Sequence, residues 1–298
     1  MLKVKVTVPA VCTGFGPGLE SFGLALALHE TLEFSLRADS QLVIDTQGEG
    51  EYPASLRHPA LRAAIAVFQS QERAPAGLQV SINSRIPPHM GLNDSAALTV
   101  GGLLAANNLL DGPLKRDDLI DLAAMLTGYA TAPAAALLGG LVINGGMGRD
   151  RLYKRFDVVA LKAVIAFPDL AAYNDPLPTL PALSISEAAR MAARATLLAD
   201  AFRTGDWPLL ARTLADPTVE TARRSLIPGA DDAAKAAIEA GAIAVTVGGG
   251  GPTLIALAQV NHKRIEDAMQ RAFSTVNIRA RLWTVNVDTQ GVTVSLSR

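Results

Sequence analysis

The chain has 298 residues, of which 49% are hydrophobic and 18% are charged, a composition typical of a compact folded protein and not of a disordered one. Its 27 basic and 28 acidic residues leave a net charge of −1, and lysine and arginine form no continuous basic run. Nucleic acid and a polybasic membrane contact are therefore excluded as expected partners, because both need clustered positive charge.

The cysteine content and the apolar segments predict the cellular compartment of the protein. The single cysteine, Cys12, excludes an intrachain disulfide and a CxxC metal site. The N-terminus does not resemble a signal peptide. Residues 123–147 are uncharged and long enough to cross a bilayer, but glycine, alanine, threonine and proline interrupt their apolar face, so we expect a buried helix, a turn and a strand there. The sequence predicts a cytoplasmic protein.

The first half of the chain alternates predicted strands and helices. Val4, Val6 and Val8 alternate with polar residues, which is the period of a half-buried strand. Further predicted strands lie within 22–28, 42–44 and 78–82. Helical periodicity covers 58–71, 95–110 and a following segment that ends near Leu126.

The second half has the same mixed character. Predicted strands lie at 162–167, 244–247, 279–285 and 291–296, predicted helices lie at 184–204, 208–214, 233–240 and 262–273, and an apolar segment covers 253–258. A proline-rich connector covers 175–181. This order of elements predicts an α+β protein with a lobe boundary between residues 150 and 180.

Glycine-rich turns separate several of these elements. Residues 9–26 are PAVCTGFGPGLESFGLAL, residues 86–97 are IPPHMGLNDSAA, and residues 247–254 are VGGGGPTL. A glycine turn before a helix lets backbone N–H groups approach a phosphate, and the helix dipole adds positive potential. The second turn therefore predicts an anion site, although a single glycine cluster is more often a plain loop.

In their order along the chain, the three turns resemble the motifs of the homoserine kinase branch of the GHMP kinases. Residues 134–140 resemble the family's Ala/Leu/Gly-Gly segment, and residues 226–229 its Leu-Ile-Pro-Gly. The resemblance implies a two-lobed α+β GHMP kinase fold, with a ribosomal-protein-S5-like lobe at 1–155 and a ferredoxin-like lobe at 156–298. It also implies a small-molecule substrate, and it leaves a homodimer open.

The resemblance assigns phosphate-loop-like positions to the second and third turns. These positions are Gly91, Asn93, Ser95, Gly249 and Gly251. The family's Gly-Leu-Gly-Ser-Ser is altered here, so that Asp94 stands where a hydroxyl would contact phosphate or metal. Two like charges about 4 Å apart, at an effective dielectric of about 20, repel by on the order of 4 kcal/mol before screening. Asp94 has two open roles, in catalysis or as a helix N-cap.

Other family positions also differ. The family's metal-binding and substrate-binding segment Glu-Gly-His-Pro-Asp-Asn aligns with residues 127–132, and Thr127 replaces its metal carboxylate. No metal ligand is therefore predicted with the family's pattern. The substrate-contacting Asn and Asp of the first motif are Gly14 and Glu20, whereas Arg223 retains a family substrate arginine.

Candidate site residues follow from these alignments. The predicted catalytic residues are Asp94, Glu20, Tyr129 and Cys12, and the predicted substrate-binding residues are Arg223, Thr131, Asn174 and Asp175. Each has a structural alternative: Cys12 as a small buried filler, Glu20 as an ion-pair or capping partner, and Tyr129 as a plug for lost polar groups.

The altered positions leave three functional hypotheses. The main one is a repurposed enzyme that acts on a small polar or carboxylated metabolite without phosphoryl transfer. The alternative is a working ATP-dependent kinase of homoserine or a related hydroxy amino acid, with magnesium held by Glu20 or Asp94; MgATP is expected as a cofactor only in this case. The third is a binding protein without catalysis.

Overall fold

The computed structural model describes residues 2–50, 52–146, 148–170 and 182–297, which form two β-sheets with helices packed against them. The strands are β1 Lys3–Thr13, β2 Phe22–Arg37, β3 Leu42–Gly48, β4 Gly77–Ser84, β5 Leu141–Gly146, β6 Leu152–Phe156, β7 Lys162–Pro168, β8 Ala244–Val247, β9 Leu254–Ala258, β10 Ala280–Asn286 and β11 Thr293–Ser297. The helices are α1 Pro59–Ser70, α2 Asp94–Leu109, α3 Arg116–Thr127, α4 Thr131–Leu138, α5 Ile185–Thr204, α6 Trp207–Leu214, α7 Ala222–Arg224, α8 Ala230–Glu239 and α9 His262–Thr275.

The first sheet has seven strands and contains both ends of the described chain. Its order is β11-β1-β2-β4-β3, with β5 beside the start of β2 and β6 beside β5. The β3–β4 pair is parallel, and the other pairs are antiparallel. As the alternation in β1 predicts, Val4, Val6 and Val8 are fully buried, because successive strand residues point to opposite faces.

Helix α2 lies at the centre of the helical layer on this sheet. It has no charged residue after Asp94, and nearly all of its side chains are buried. A Cβ at Gly102 would collide with the Ala60 carbonyl, so this glycine allows α1 to pack closely on α2. The small-residue composition of the segment therefore reflects burial on several sides.

The second sheet is fully antiparallel, with the order β10-β7-β9-β8. Helices α8 and α9 build a separate apolar core on one of its faces, around Phe273 and Met269. Helices α5 and α6 pack against each other, and their buried residues join the core of the first sheet. The predicted α+β organisation is confirmed.

The observed elements agree with the expected order along the chain. Residues 123–147 contain the end of α3, then α4, a turn at Gly139 and Gly140, and β5. No helix in the described part of the chain is long and apolar enough to cross a membrane. The division into lobes at 1–155 and 156–298 stays a prediction; β11 adds that the first sheet also takes its edge strand from the end of the chain.

Candidate active site

The second and third glycine turns lie directly against each other. Gly91 has a φ of +79°, and a Cβ there would collide with the carbonyl oxygen of Gly248. A Cβ at Gly251 would likewise overlap the backbone of Met90, whose carbonyl accepts a 2.6 Å hydrogen bond from the Thr253 hydroxyl. Only glycine permits this approach, so the two turns form one rigid backbone unit.

Asn93 fastens the first turn to this unit. It adopts a left-handed conformation with φ of 56°, and its amide donates hydrogen bonds of 2.8 Å to the Val11 carbonyl and 3.1 Å to the Thr13 hydroxyl. Gly249 N–H donates a 2.9 Å hydrogen bond to the Thr13 carbonyl. All three glycine-rich turns therefore meet at the N-terminus of α2, where the first N–H groups have no partner within the helix.

Asp94 lies at this helix start, but it is not the cap. Asn93 occupies the N-cap position, and Asp94 is the first helical residue. The buried Asp94 carboxylate instead accepts a 2.5 Å hydrogen bond from the Tyr52 hydroxyl and a 3.4 Å hydrogen bond from the His89 N–H. The capping alternative for Asp94 is therefore not what the structure shows.

Tyr52 is a site residue that the sequence did not single out. Its ring lies 6.2 Å from that of His89 and 5.6 Å from that of His58. Burial, and then the Asp94 charge, raise the pKa of the Tyr52 phenol, so it remains protonated and donates to Asp94. Tyr52 lies in the loop between β3 and α1, about 40 residues before α2, where no motif marks it.

Arg223 and Glu20 form the second charged group of the site. Arg223 is buried and donates to the Gly14 carbonyl and, at 3.3 Å, to the Gly249 carbonyl. Its Nη2 is 3.4 Å from Oε1 of Glu20, whose side chain is 63% exposed. The resemblance predicted Glu20 in the first turn and Arg223 ahead of the Leu-Ile-Pro-Gly segment, both near one cavity. The structure brings them together as an ion pair beside the first turn.

Cys12 lies in β1, behind the turns. Its side chain is buried in the apolar core. Burial, assisted by the nearby Glu220 carboxylate, raises the pKa of the Cys12 thiol to about 12. Such a thiol is protonated at neutral pH and is a poor nucleophile, so these surroundings favour its packing role over the predicted catalytic one.

The segment between α3 and α4 reaches the same region. Tyr129 is 41% exposed, and partial burial together with the charges of Asp94 and Glu20 raises the pKa of its phenol. Thr131 is buried, and its hydroxyl accepts a 3.4 Å hydrogen bond from Asn144. The Thr127 hydroxyl lies 2.8 Å from the Ala123 carbonyl and 2.9 Å from the Tyr129 carbonyl. It carries no charge and cannot replace a metal carboxylate.

Glu220 is a second residue that the sequence did not single out. Its Oε1 accepts hydrogen bonds from Gly16 N–H at 3.0 Å and from the Thr246 hydroxyl at 2.6 Å, and its Oε2 accepts one from Val247 N–H at 3.2 Å. The side chain is buried, and burial raises its pKa. Glu220 thus connects the first turn to the strand that enters the third turn.

Two of the predicted substrate-binding residues, Asn174 and Asp175, fall outside the described residues. The other predicted site residues surround the start of α2. They are Cys12, Glu20, Gly91, Asn93, Asp94, Ser95, Tyr129, Thr131, Arg223, Gly249 and Gly251. Their assignment to catalysis, substrate or phosphate binding stays a prediction.

The donor set at this place fits a nucleotide with magnesium. The helix start offers unpaired N–H groups to an anion, and Asp94 and Glu20 offer the one or two carboxylates that Mg²⁺ uses beside phosphate and water. In the described part of the chain, no cluster of three or more His, Cys, Asp or Glu side chains could hold a metal by itself. A metal here would therefore depend on a phosphate-bearing ligand.

Comparisons with known proteins agree with this geometry. Residues 59–140 match the family GHMP kinases N terminal domain, and residues 198–275 match GHMP kinases C terminal. The chain therefore belongs to the GHMP kinase family. A homoserine kinase of Moorella thermoacetica is 35% identical over 92% of this chain and 94% of its own length, and one of Parasynechococcus marenigrum is 32% identical over 97% and 95%. The chain belongs to the homoserine kinase family.

A solved structure shows the same relationship in three dimensions. The crystal structure of homoserine kinase from Cytophaga hutchinsonii superposes with a TM-score of 0.86 at 27% identity, covering 98% of this chain and 97% of the other. The predicted resemblance and the two-lobed GHMP kinase fold are confirmed. These relatives favour the kinase alternative over a reaction without phosphoryl transfer. A homodimer and a cytoplasmic location stay predictions.

Proposed function

We propose that this protein is an ATP-dependent kinase that phosphorylates the hydroxyl of homoserine or a closely related hydroxy amino acid. The observation that carries the proposal is the contact of all three glycine turns at the start of α2, where the Asp94 carboxylate lies and where Arg223 donates hydrogen bonds to the first and third turns. The family relatives support the same activity.

Asp94 is the proposed magnesium ligand. The hydroxyl of the family's loop and the family's metal glutamate are both changed, to Asp94 and Thr127, so one carboxylate is lost and another is gained. A divalent cation between Asp94 and phosphate oxygens would convert the repulsion expected at this position into attraction. To bind the cation, the Asp94 carboxylate would give up its hydrogen bond with Tyr52.

Arg223 and Glu20 are the proposed substrate contacts. The guanidinium of Arg223 is buried beside the first turn and matches a carboxylate, and the exposed Glu20 suits an ammonium group. Together they orient an amino acid with its side-chain hydroxyl toward the helix start. Bound MgATP supplies the phosphoryl group and positive charge for its transfer, and the chain contributes positioning and electrostatic stabilisation.

The direct test is an ADP-release assay with homoserine, serine and threonine, combined with ³¹P NMR of the product. We expect homoserine-dependent ADP release and a phosphomonoester. Arg223→Gln is expected to lower kcat/KM by about 100-fold, whereas Arg212→Gln, an exposed arginine on α6, should change it little. No ADP release with any hydroxy amino acid, together with no MgATP binding, would overturn the proposal and return the other two hypotheses.

A further inference from the structure

A cavity of about 970 Å³ lies between the two sheets, away from the glycine turns. Its N-lobe wall is formed by β2 and the ends of β3 and β4, and its other wall by β10 and α9. Its lining includes Leu28, His29, Glu49, Arg85, Glu266 and Trp283. We call this cavity the interlobe groove.

The interlobe groove is lined by residues outside the three glycine turns. His29 and Glu30 are consecutive residues of β2 and so point to opposite faces of the sheet. Glu30 is fully buried, and its Oε1 accepts a 3.1 Å hydrogen bond from Ile86 N–H at the beginning of the second turn. His29 faces the groove. The groove lining contains no residue of the three glycine turns, so a ligand there would not contact them.

The carboxylates of the groove already have partners. Glu49 is bound by Arg281 of β10 with both oxygens at 2.9 Å. Glu266 accepts a 2.6 Å hydrogen bond from the Thr284 hydroxyl and lies 3.4 Å from the Lys263 ammonium. His29 Nε2 lies 2.8 Å from an Asp288 oxygen. These groups leave little free negative charge for a cationic ligand.

The free polar groups of the groove are donors. Arg85 is exposed toward the groove, and neither its guanidinium nor the Asn83 amide has a partner in the described ranges. The Trp283 indole N–H has no hydrogen-bond partner there either. A guanidinium with nearby N–H donors matches a carboxylate, and an unpaired cation in a concave site is a recurrent feature of small-ligand pockets.

Trp283 gives the groove a fixed aromatic wall. Its ring packs edge-on against Phe167 at 4.8 Å, and the Arg281 guanidinium lies 5.5 Å from its centroid. Arg281 is in turn held by Glu49 across the groove. The indole is therefore held in place from two sides, and Leu28 and Val285 add apolar surface beside it. A flat apolar ring suits this wall.

We propose that the interlobe groove binds a small aromatic carboxylate, with the carboxylate on Arg85 and the ring against Trp283. The site is separate from the proposed kinase site and does not depend on kinase activity. Its size lies within the range of small-molecule pockets. Binding would connect the two lobes, because the ligand would contact β4 of one sheet and β10 of the other.

The test uses the fluorescence of Trp283. The chain has two tryptophans, so Trp207→Phe leaves Trp283 as the sole indole. The probe is 4-iodobenzoate, whose iodine quenches an indole on contact, and the neutral 4-iodobenzamide is its matched control. We expect saturable quenching by the carboxylate and only weak, linear quenching by the amide.

Charge variants separate specific binding from surface attraction. In the Trp207→Phe background, Arg85→Gln is expected to weaken binding at least about tenfold, and Arg85→Lys is expected to weaken it less. Arg73→Gln, an exposed arginine on the loop after α1, should leave binding unchanged. Unaltered circular dichroism of each variant would show that the fold is intact.

Three outcomes would overturn the proposal. They are equal quenching by acid and amide, equal binding by the Arg85→Gln variant, and displacement of the probe by saturating MgATP with homoserine. Saturation-transfer NMR on the probe protons gives an independent reading. A failed kinase assay with retained probe binding would reject the proposed function alone.

Discussion

Tyr52 donates a 2.5 Å hydrogen bond to Asp94, joining the loop between β3 and α1 to the first turn of α2. The carboxylate that distinguishes this chain from the family's loop pattern thus has a partner that lies 42 residues earlier in the sequence. If Asp94 holds magnesium, the Tyr52 phenol must release the Asp94 carboxylate when the metal and nucleotide bind.

Tyr52→Phe is expected to strengthen MgATP binding. The substitution removes the hydrogen bond that Asp94 gives up, so we expect a fall in the Kd of a non-hydrolysable MgATP analogue of about 3- to 10-fold, measured by calorimetry. The free energy of unfolding should fall by about 1 to 3 kcal/mol, because a buried carboxylate oxygen loses its donor. Tyr153→Phe removes a similar 2.5 Å tyrosine–aspartate contact to Asp117 far from the site and is the control. Weaker nucleotide binding in Tyr52→Phe would contradict this role.

Asp94→Asn is expected to remove metal binding at the nucleotide site. Manganese can replace magnesium as a probe, and electron paramagnetic resonance measures its binding in the presence of ATP. We expect the variant to bind manganese at least about tenfold more weakly and to lose most of its activity. Asp121→Asn is the matched control, because this aspartate pairs with Arg151 and both side chains are partly buried. Unchanged manganese binding in Asp94→Asn would show that Asp94 is not the metal ligand, and Glu20 would be the next candidate.

Gly91→Ala tests the contact between the glycine turns. Gly91 and Gly112 both have positive φ, at 79° and 74°, but only Gly91 has neighbours within 4 Å of the added Cβ. Gly112→Ala should therefore cost only the backbone strain, about 1 kcal/mol. Gly91→Ala should cost about 3 kcal/mol or more, since the Cβ also overlaps the Gly248 carbonyl. Urea unfolding of both variants provides the comparison, and equal losses would show that the turns are not in tight contact.

Glu30 gives the protein a predicted pH dependence of stability. Burial raises the pKa of Glu30 from 4.5 to about 7, although Oε1 accepts hydrogen bonds from Ser84 and Ile86. Between these pH values the folded protein keeps a proton that the unfolded chain has lost, so stability falls as pH rises through this window and then levels off. The fall attributable to Glu30 is about 3 kcal/mol.

Glu30→Gln removes this titration while keeping an acceptor for Ser84 and Ile86. We expect the variant to be more stable than the parent at pH 8, and to lose less stability between pH 5 and pH 8. Urea midpoints at the two pH values measure the difference. Glu33→Gln on the same strand controls for the loss of a surface carboxylate. A pH profile that is identical in the parent and in Glu30→Gln would show that Glu30 does not titrate in this range.

Most secondary structure could be predicted from the sequence, because its signals are local. Alternating valines predicted β1, and the run of small uncharged residues predicted α2. The turns at Gly139 and Gly140 marked the end of α4 for the same reason, since positive φ favours glycine. The helical segment Pro217–Thr221 before α7 was not expected, because nothing in its composition separates it from a loop.

The candidate site was predictable only where a motif marks it. The motifs placed Glu20 in the first turn and Arg223 ahead of the Leu-Ile-Pro-Gly segment, near one cavity, and the structure pairs them at 3.4 Å. Asp94 was recognised as unusual, but its partner Tyr52 was not, because that contact depends on the path of the loop after β3. Glu220 was missed because a buried acidic residue has no sequence signature of its own.

The sequence by itself determined the family and the three glycine turns, since their backbone geometry tolerates almost no other residue. Only the tertiary structure decided that Asp94 is held by Tyr52 instead of capping α2, that Cys12 is buried with a raised pKa, and that Arg85 and Trp283 line one groove. The physical reason is that hydrogen bonding, burial and charge pairing depend on distances between residues far apart in the chain, which one-dimensional spacing does not contain.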